Sequence, residues 1–341
     1  MITFNDIQQA HERIKSHIHE TPVISSSLLN RWLGHDIYFK AECLQKIGAF
    51  KARGGCHAVQ VIKAQHPNLK RVVANSSGNH AQAVAWAANQ FGVSATIYMP
   101  SYASAVKIQA TRDYGAEVVL LDTRQEVDAA VAAASQEQGV YWIPPFNHEA
   151  VIAGQGTAAM EALQQLGQRP GQQPGQQTTD AVFAPCGGGG LISGTLVATR
   201  ALQPQAQVIA VEPLAGDDAY QSYQAGEIIR LPDSPDTLAD GAMTLSVGEL
   251  TFEHIQQLDD FKLVKEVPMA YWTQWLQHLL KMHVEPTSAM VMDGVCQWLR
   301  DQNKPQQVLV VLSGGNVDAA TIQKIWQTDY LSQEPDLQRF S

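Results

Sequence analysis

The sequence predicts an α/β fold: two domains, each an open, twisted and largely parallel sheet with flanking helices. Two observations predict it. Short β-branched runs alternate with longer Ala-rich stretches whose apolar residues are spaced to bury one face, and such alternation builds parallel sheets covered by helices. A chain of 341 residues with 45% hydrophobic content also has the length for two domains or one large one. In chain order, the strand at 71–74 is followed by a helix at 80–91, the strand at 95–99 by a helix at 103–114, and the strand at 117–121 by a helix at 126–138. The strand at 140–143 leads to a helix at 152–166, the strand at 181–184 to one at 191–202, and the strand at 208–211 comes next. A helix at 286–302 precedes the last strand, 308–312. The four strands between 71 and 143 form one compact unit and the later strands another, which the N-terminal segment joins. The expected domains are therefore a small one, 71–147, and a large one, 1–70 with 148–341, with the ligand in the cleft between them. Between helix and strand, 164–177 is rich in Gln, Gly and Pro, with a doubled P-G-Q-Q element; it reads as a solvated, mobile loop without chemistry.

Composition narrows the function. Twenty-three Lys and Arg against 33 Asp and Glu give a net charge of −10. No basic run with interleaved aromatics tracks a nucleic-acid backbone, so the expected partner is a small molecule. Cys43, Cys56, Cys186 and Cys296 are far apart, without a C-x-x-C pair, which argues against a disulfide framework or zinc cage and fits reduced thiols in cytosol. The first residues, Met1 to Asp6, lack a basic and an apolar region, and no apolar stretch approaches the ~20 residues of a membrane span. The expectation is a soluble, cytoplasmic protein with no membrane partner.

Three segments carry chemistry. Lys51 lies in GAFKARGG at 48–55, a small-residue turn where Phe50 shields an amine and the backbone admits a ligand. The run Gly187, Gly188, Gly189, Gly190, followed by Leu191 at a helix start, offers bare amides that suit a phosphate dianion. It matches neither G-x-G-x-x-G nor G-x-x-x-x-G-K-[ST]. Ser313 in LSGGN follows a third strand and can meet a pyridine nitrogen. Together they read as a pyridoxal phosphate site with Lys51 as tether. A second turn, NSSGNHAQ at 75–82, places Ser76, Ser77 and Asn79 before a helix, either as N-caps or as a carboxylate site, with Asn79 able to donate to a phenolic oxygen. Glu212, Gly216, Asp217 and Asp218 follow a strand; alone, the two aspartates read as helix caps.

Seven segments in one order, GAFKARGG, SSGNHAQA, VIAGQGT, PCGGGGLISG, VEPLAGDDAYQS, LADGA and LSGGNVD, give the chain a resemblance over nearly its whole length. It resembles the fold-type II pyridoxal phosphate enzymes of the threonine/serine dehydratase and serine racemase group, whose fold is tryptophan synthase β-like. The resemblance implies that Lys51 is the Schiff-base lysine, Phe50 packs near the ring, Asn79 bonds its phenolic oxygen, and Gly187 to Gly190 with Leu191 hold phosphate. Ser313 would meet the ring nitrogen, and Ser76, Ser77 and His80 would line the carboxylate pocket. A divalent ion, Mg²⁺, Ca²⁺ or Mn²⁺, would be held by Glu212, the Gly216 carbonyl and Asp218. The implied reaction is dehydration and deamination of L-threonine or L-serine by a homodimer, with Lys51 as the base at Cα. A neutral hydroxyl at Ser313 need not keep the ring nitrogen protonated, which weakens the electron sink and suits elimination. Ser77 stands where racemases of the group carry their second acid, so serine racemase is the alternative. Asn75 and Phe146, where animal serine racemases carry His and Asn, count against it. Arg124, after a strand end, would favour 3-hydroxyaspartate if it reached a second carboxylate. A pyridoxal phosphate-binding amino-acid sensor is the non-enzymatic alternative.

Overall fold

The computed structural model of the chain describes residues 1–169, 171 and 179–341. Ten strands are present among them: β1 (Val23–Ile24), β2 (Asp36–Ala41), β3 (Arg71–Asn75), β4 (Ser94–Pro100), β5 (Glu117–Leu121), β6 (Val140–Trp142), β7 (Ala181–Pro185), β8 (Gln207–Pro213), β9 (Asp260–Val264) and β10 (Gln307–Leu312). They form two sheets, of order β1-β2-β10-β7-β8-β9 and β5-β4-β3-β6. Every pairing is parallel except β1 with β2. The α/β class read from the alternation is therefore the observed one. Val308 to Leu312 are fully buried, because helices cover both faces and a central strand there must be apolar throughout.

The seven expected strands are present within a residue or two of their bounds, whereas β1, β2 and β9 are additional to them. β1 is only two residues long, and polar residues interrupt the apolar pattern of β2 and β9. Lys40 of β2 is fully buried, and its ammonium is neutralised by Glu161 at 2.9 Å. The single helix expected at 286–302 is two, Pro286–Ala289 and Val291–Leu299, joined at Met290. The expected loop at 164–177 begins where the helix Glu149–Gly167 ends, and residues 170 and 172–178 of it lie outside the described residues.

The largest departure concerns GAFKARGG. The turn is confined to Ile47 and Gly48, both in the left-handed region with φ of 59° and 71°, and Lys51 already begins a helix, Lys51–Gln65. Gly54 and Gly55 lie inside that helix, and close packing explains them. A Cβ on Gly154 of the helix Glu149–Gly167 would stand 2.7 Å from the Gly54 Cα. Further along, a Cβ on Gly194 of the helix Gly190–Leu202 would stand 2.5 Å from the Gly156 nitrogen. Glycines thus let the helix Glu149–Gly167 touch both helices that begin at the cleft, one with Lys51 and one with Gly190. Beneath them Arg53 is fully buried and clamps Glu42 and Glu161, each at 2.7 Å. This cluster ties the residue that follows β2 to the two long helices.

Candidate active site

The candidate residues gather at the carboxyl ends of strands in both sheets, where open α/β folds bind ligands. Lys51 is half-buried and donates from Nζ to the Pro145 carbonyl at 2.7 Å, with its ammonium 5.1 Å from the Phe50 ring centroid. Burial pulls its pKa down to about 8, against the opposing pull of the Glu285 carboxylate. The preceding residues are pinned to the end of β10: Phe50 N donates to the Ser313 carbonyl at 2.9 Å, and Ala49 bridges Gly314. Lysine and serine, 262 positions apart in sequence, are thereby neighbours.

The glycine run turns from β7 into the helix Gly190–Leu202, with Gly189 at φ 89°. Its close neighbours leave no room for side chains. A Cβ on Gly188 would lie 2.1 Å from the Phe146 ring, one on Gly187 3.0 Å from the Ala242 Cα, and one on Gly189 2.7 Å from Ile255. The Gly188 carbonyl is held by the Thr251 hydroxyl at 2.8 Å. The first amides of the helix, Gly190 and Leu191 among them, have no intrahelical acceptor. A phosphate fits such a turn of bare amides, whose glycines are required by Phe146, Ala242 and Ile255 packed against them. Leu191 itself is buried among Cys186 and Ile192, with Phe50 packed against the same cluster.

From the smaller sheet, β3 delivers Ser76, Ser77 and the helix Asn79–Gln90. The Ser76 hydroxyl accepts from Gly78 N at 3.2 Å, while Ser77 makes no side-chain hydrogen bond among the described residues. Asn79 donates to Glu285 at 3.2 Å and accepts from Asn316 Nδ2 at 2.8 Å. His80 is buried and its Nε2 lies 2.8 Å from the Ile143 carbonyl. A carbonyl only accepts, so Nε2 carries the proton and Nδ1, buried without a partner, presents a lone pair. Burial, then the Lys51 charge, lowers the imidazole pKa to about 3.

Sequence reasoning missed Glu285, Ser288 and the Pro145 carbonyl. Glu285 is buried beside Gly314, and burial followed by the Asp240 charge raises its pKa to about 8. Ser288 is fully buried at 2.9 Å from the Ser313 hydroxyl. Nothing in the local sequence marks an ordinary Glu, Pro or Ser as belonging to a site. Phe146 is noticeable in the sequence only as a departure, yet its ring forms one wall of the glycine turn.

Asp217 and Asp218, expected from sequence alone to cap a helix, do not do so through their side chains. Asp217 makes no side-chain cap hydrogen bond and accepts instead from Gln221 at 2.7 Å. It is Glu212 that caps the helix Asp218–Ala225, accepting from Ala219 N at 3.1 Å and Tyr220 N at 2.9 Å. Asp218 Oδ2 is buried without a partner, and burial raises the Asp218 pKa to about 7. Burial, then Asp218, raises Glu212 well above the usual carboxylate range. No group of three His, Cys, Asp or Glu side chains that could hold a metal occurs among the described residues. Two carboxylates with an orphaned oxygen, supplemented by a carbonyl and water, nevertheless suit a hard cation. Arg124 is exposed and pairs with Asp128 at 3.4 Å, away from the buried set. Asp128 in turn accepts from Asn75 at 2.7 Å.

The chain matches the family described as pyridoxal-phosphate dependent enzyme over residues 14–314. It is 41% identical over 321 residues, 93% of this chain and 94% of the relative, to an L-threo-3-hydroxyaspartate ammonia-lyase of Saccharomyces cerevisiae. A serine racemase of Dictyostelium discoideum is 38% identical over 328 residues, 95% of this chain and 98% of the relative. Among solved structures, a T.th. threonine deaminase superposes with a TM-score of 0.85 at 42% identity, covering 93% of this chain and 99% of that one.

Proposed function

The chain belongs to the pyridoxal-phosphate dependent enzyme family, and we propose that within it the protein is an ammonia-lyase that eliminates the β-hydroxyl of L-threonine or L-serine to give a 2-oxo acid and ammonia. One observation carries the reading: a lysine of depressed basicity, Lys51, lies where a small-residue phosphate cradle, a Ser-Asn helix start and a buried serine at a strand end converge. Pyridoxal phosphate, when bound, supplies the sink for the charge left on the substrate Cα.

The chain's own residues have these parts. Gly187 to Leu191 would hold the phosphate through backbone amides, Phe50 and Asn79 would orient the ring, and Ser313 would serve its nitrogen. Ser76, Ser77 and the helix start at Asn79 and His80 bind the substrate carboxylate. His80 contributes through its backbone, since its neutral Nδ1 cannot donate to an anion. Lys51 takes the proton from Cα, and the Pro145 carbonyl gives its Nζ a fixed position from which to do so. The span 71–147 forms the substrate-side domain, and 1–70 with 148–341 the cofactor domain. Glu212, Asp218 and the Gly216 carbonyl bind Mg²⁺, Ca²⁺ or Mn²⁺ outside the chemistry; the partnerless Asp218 oxygen supports this. Four free cysteines, and the lack of any described helix long and apolar enough to cross a membrane, favour a cytoplasmic enzyme, which we take to be a homodimer.

A second reading, serine racemase, is favoured by the unengaged hydroxyl of Ser77, a suitable acid for the opposite face of Cα. 3-Hydroxyaspartate is supported by the yeast relative more than by Arg124, which is exposed and paired. A substrate panel on the cofactor-loaded protein, with and without Mg²⁺, tests all three through 2-oxo acid yield and product chirality. Oxo acid from L-threonine or L-serine is expected. D-serine forming faster than pyruvate would transfer the assignment to the racemase, and no product from any substrate would leave an amino-acid sensor.

A further inference from the structure

Thr251 is fully buried at the third position of the helix Glu249–Ile255, outside every segment that the sequence singles out. Three backbone groups surround its Oγ1: the Gly188 carbonyl at 2.8 Å, and the amide and carbonyl of Gly248, each at 3.0 Å. The amide only donates, so it takes a lone pair of the hydroxyl. One hydroxyl proton is left for two carbonyls, and their other partners decide between them. The Gly248 carbonyl already accepts from Phe252 N at 2.8 Å, whereas no other donor reaches the buried Gly188 carbonyl among the described residues. A buried acceptor left without a donor is the costlier outcome, so the proton goes to Gly188, which is also the shorter contact. The helix that carries Thr251 is placed from the other side of the turn: Leu250 N donates to Asn147 at 2.9 Å, next to Phe146, whose ring packs on Gly188.

The Gly188–Gly189 peptide is trans, so its C=O and N–H point to opposite sides. With the carbonyl turned onto Thr251, the Gly189 amide is turned away from it. The N–H groups of Gly187, Gly188 and Gly189 donate to no protein group among the described residues, so none of them fixes the turn from within. Glycines without a Cβ also offer little resistance to rotation of a peptide plane. We propose that Thr251 is a positioning residue for the cofactor phosphate: its hydroxyl holds the Gly188 carbonyl so that the Gly189 amide faces the phosphate. Thr251 acts through the peptide, not through a contact of its own. The proposal rests on the pyridoxal phosphate reading above and deepens it by naming what aims the bare amides.

The test titrates the full chain, stripped of cofactor, with pyridoxal phosphate and with pyridoxal, which lacks the phosphate, and reads the absorbance of the bound form. Wild type is expected to prefer the phosphorylated ligand strongly. Thr251→Val keeps the volume and removes the hydroxyl; it should weaken pyridoxal phosphate roughly tenfold, as loss of one hydrogen bond to a charged group does, and leave pyridoxal within about twofold. Thr251→Ser keeps the hydroxyl without the methyl and should retain the wild-type preference. Equal weakening of both ligands in Thr251→Val would make Thr251 a packing residue only and overturn the proposal. Loss of the preference in Thr251→Ser would overturn it too, whether or not the valine variant folds. A wild type that binds the two ligands equally would instead bring down the phosphate reading of the glycine turn, and this proposal with it.

Discussion

At the residue scale the decisive property is the basicity of Lys51. An amine reacts with an aldehyde in its neutral form, and burial brings Lys51 to about 8 from the ordinary lysine value near 10.4. Covalent capture of pyridoxal phosphate by the apoprotein should therefore rise with pH through a midpoint near 8 and level off above it. Below the midpoint each pH unit costs about tenfold in neutral amine. Stopped-flow absorbance gives the profile, and a midpoint near that of free lysine would contradict the burial argument. Because the Glu285 carboxylate pulls the lysine upward, Glu285→Gln should move the midpoint lower. Lys51→Ala should remove both the bound-cofactor absorbance and turnover; persistence of normal turnover would end the proposed mechanism. Asp218 makes a separate case, since its buried Oδ2 has no partner and the proposed cation would supply one. Millimolar Mg²⁺, Ca²⁺ or Mn²⁺ should raise the Tm of wild type, by about 2.7 kcal/mol of stability at a hundredfold excess over Kd. Asp218→Asn should abolish that gain, and an unchanged gain would place the ion elsewhere.

At the scale of elements, the site depends on three helices that meet through glycines. A methyl at Gly154 has nowhere to go, with the Gly54 Cα at 2.7 Å and the Arg53 carbonyl at 2.9 Å. Gly154→Ala should cost about 1–3 kcal/mol from overpacking, reduced by up to about 1 kcal/mol of helix propensity. The displaced helix carries Lys51 at its first residue, so cofactor affinity should fall as well. Denaturant unfolding and cofactor titration read the two effects, and a variant as stable and as tightly loaded as wild type would refute the packing argument. The same elements explain what the sequence made legible. Lys51, the glycine run and Ser313 could be read because each needs small neighbours next to it in the chain. The helical state of Lys51 to Gln65 could not, because Gly54 and Gly55 look like a turn until Gly154 and Ala83 are seen against them. Strand β2 escaped notice because Lys40 breaks its apolar run, and its partner Glu161 is 121 residues away. Glu285, Ser288 and Phe146 escaped for the same reason: their meaning comes from neighbours that only the tertiary fold supplies.

For the whole molecule, the proposed site draws on both sheets and needs them to face each other correctly. Lys51 reaches Pro145 beyond β6, and Asn79 at the end of β3 reaches Glu285 and Asn316 on the side of the larger sheet. Further out, Lys107 on the helix Ala105–Asp113, which joins strands of the smaller sheet, donates to Asp240. Asp240 begins the segment whose Gly241 carbonyl and Ala242 lie against Gly187. The pair thus fastens a helix of the smaller sheet to the segment packed against the glycine turn. It is exposed enough, Asp240 at 41%, that its worth to stability should stay below about 1 kcal/mol. Its effect on substrate should be larger, because any closing of the cleft onto an amino acid has to bring these halves together. Lys107→Ala should raise KM several-fold while Tm stays nearly constant, and the exchange Lys107→Asp with Asp240→Lys should recover most of the loss. Salt supplies an independent check: raising ionic strength screens the pair, so KM should climb with salt in wild type more steeply than in Lys107→Ala. Parallel salt responses in the two proteins would mean that the cleft is held by its buried contacts alone, with Asn79 between Glu285 and Asn316 as the joint.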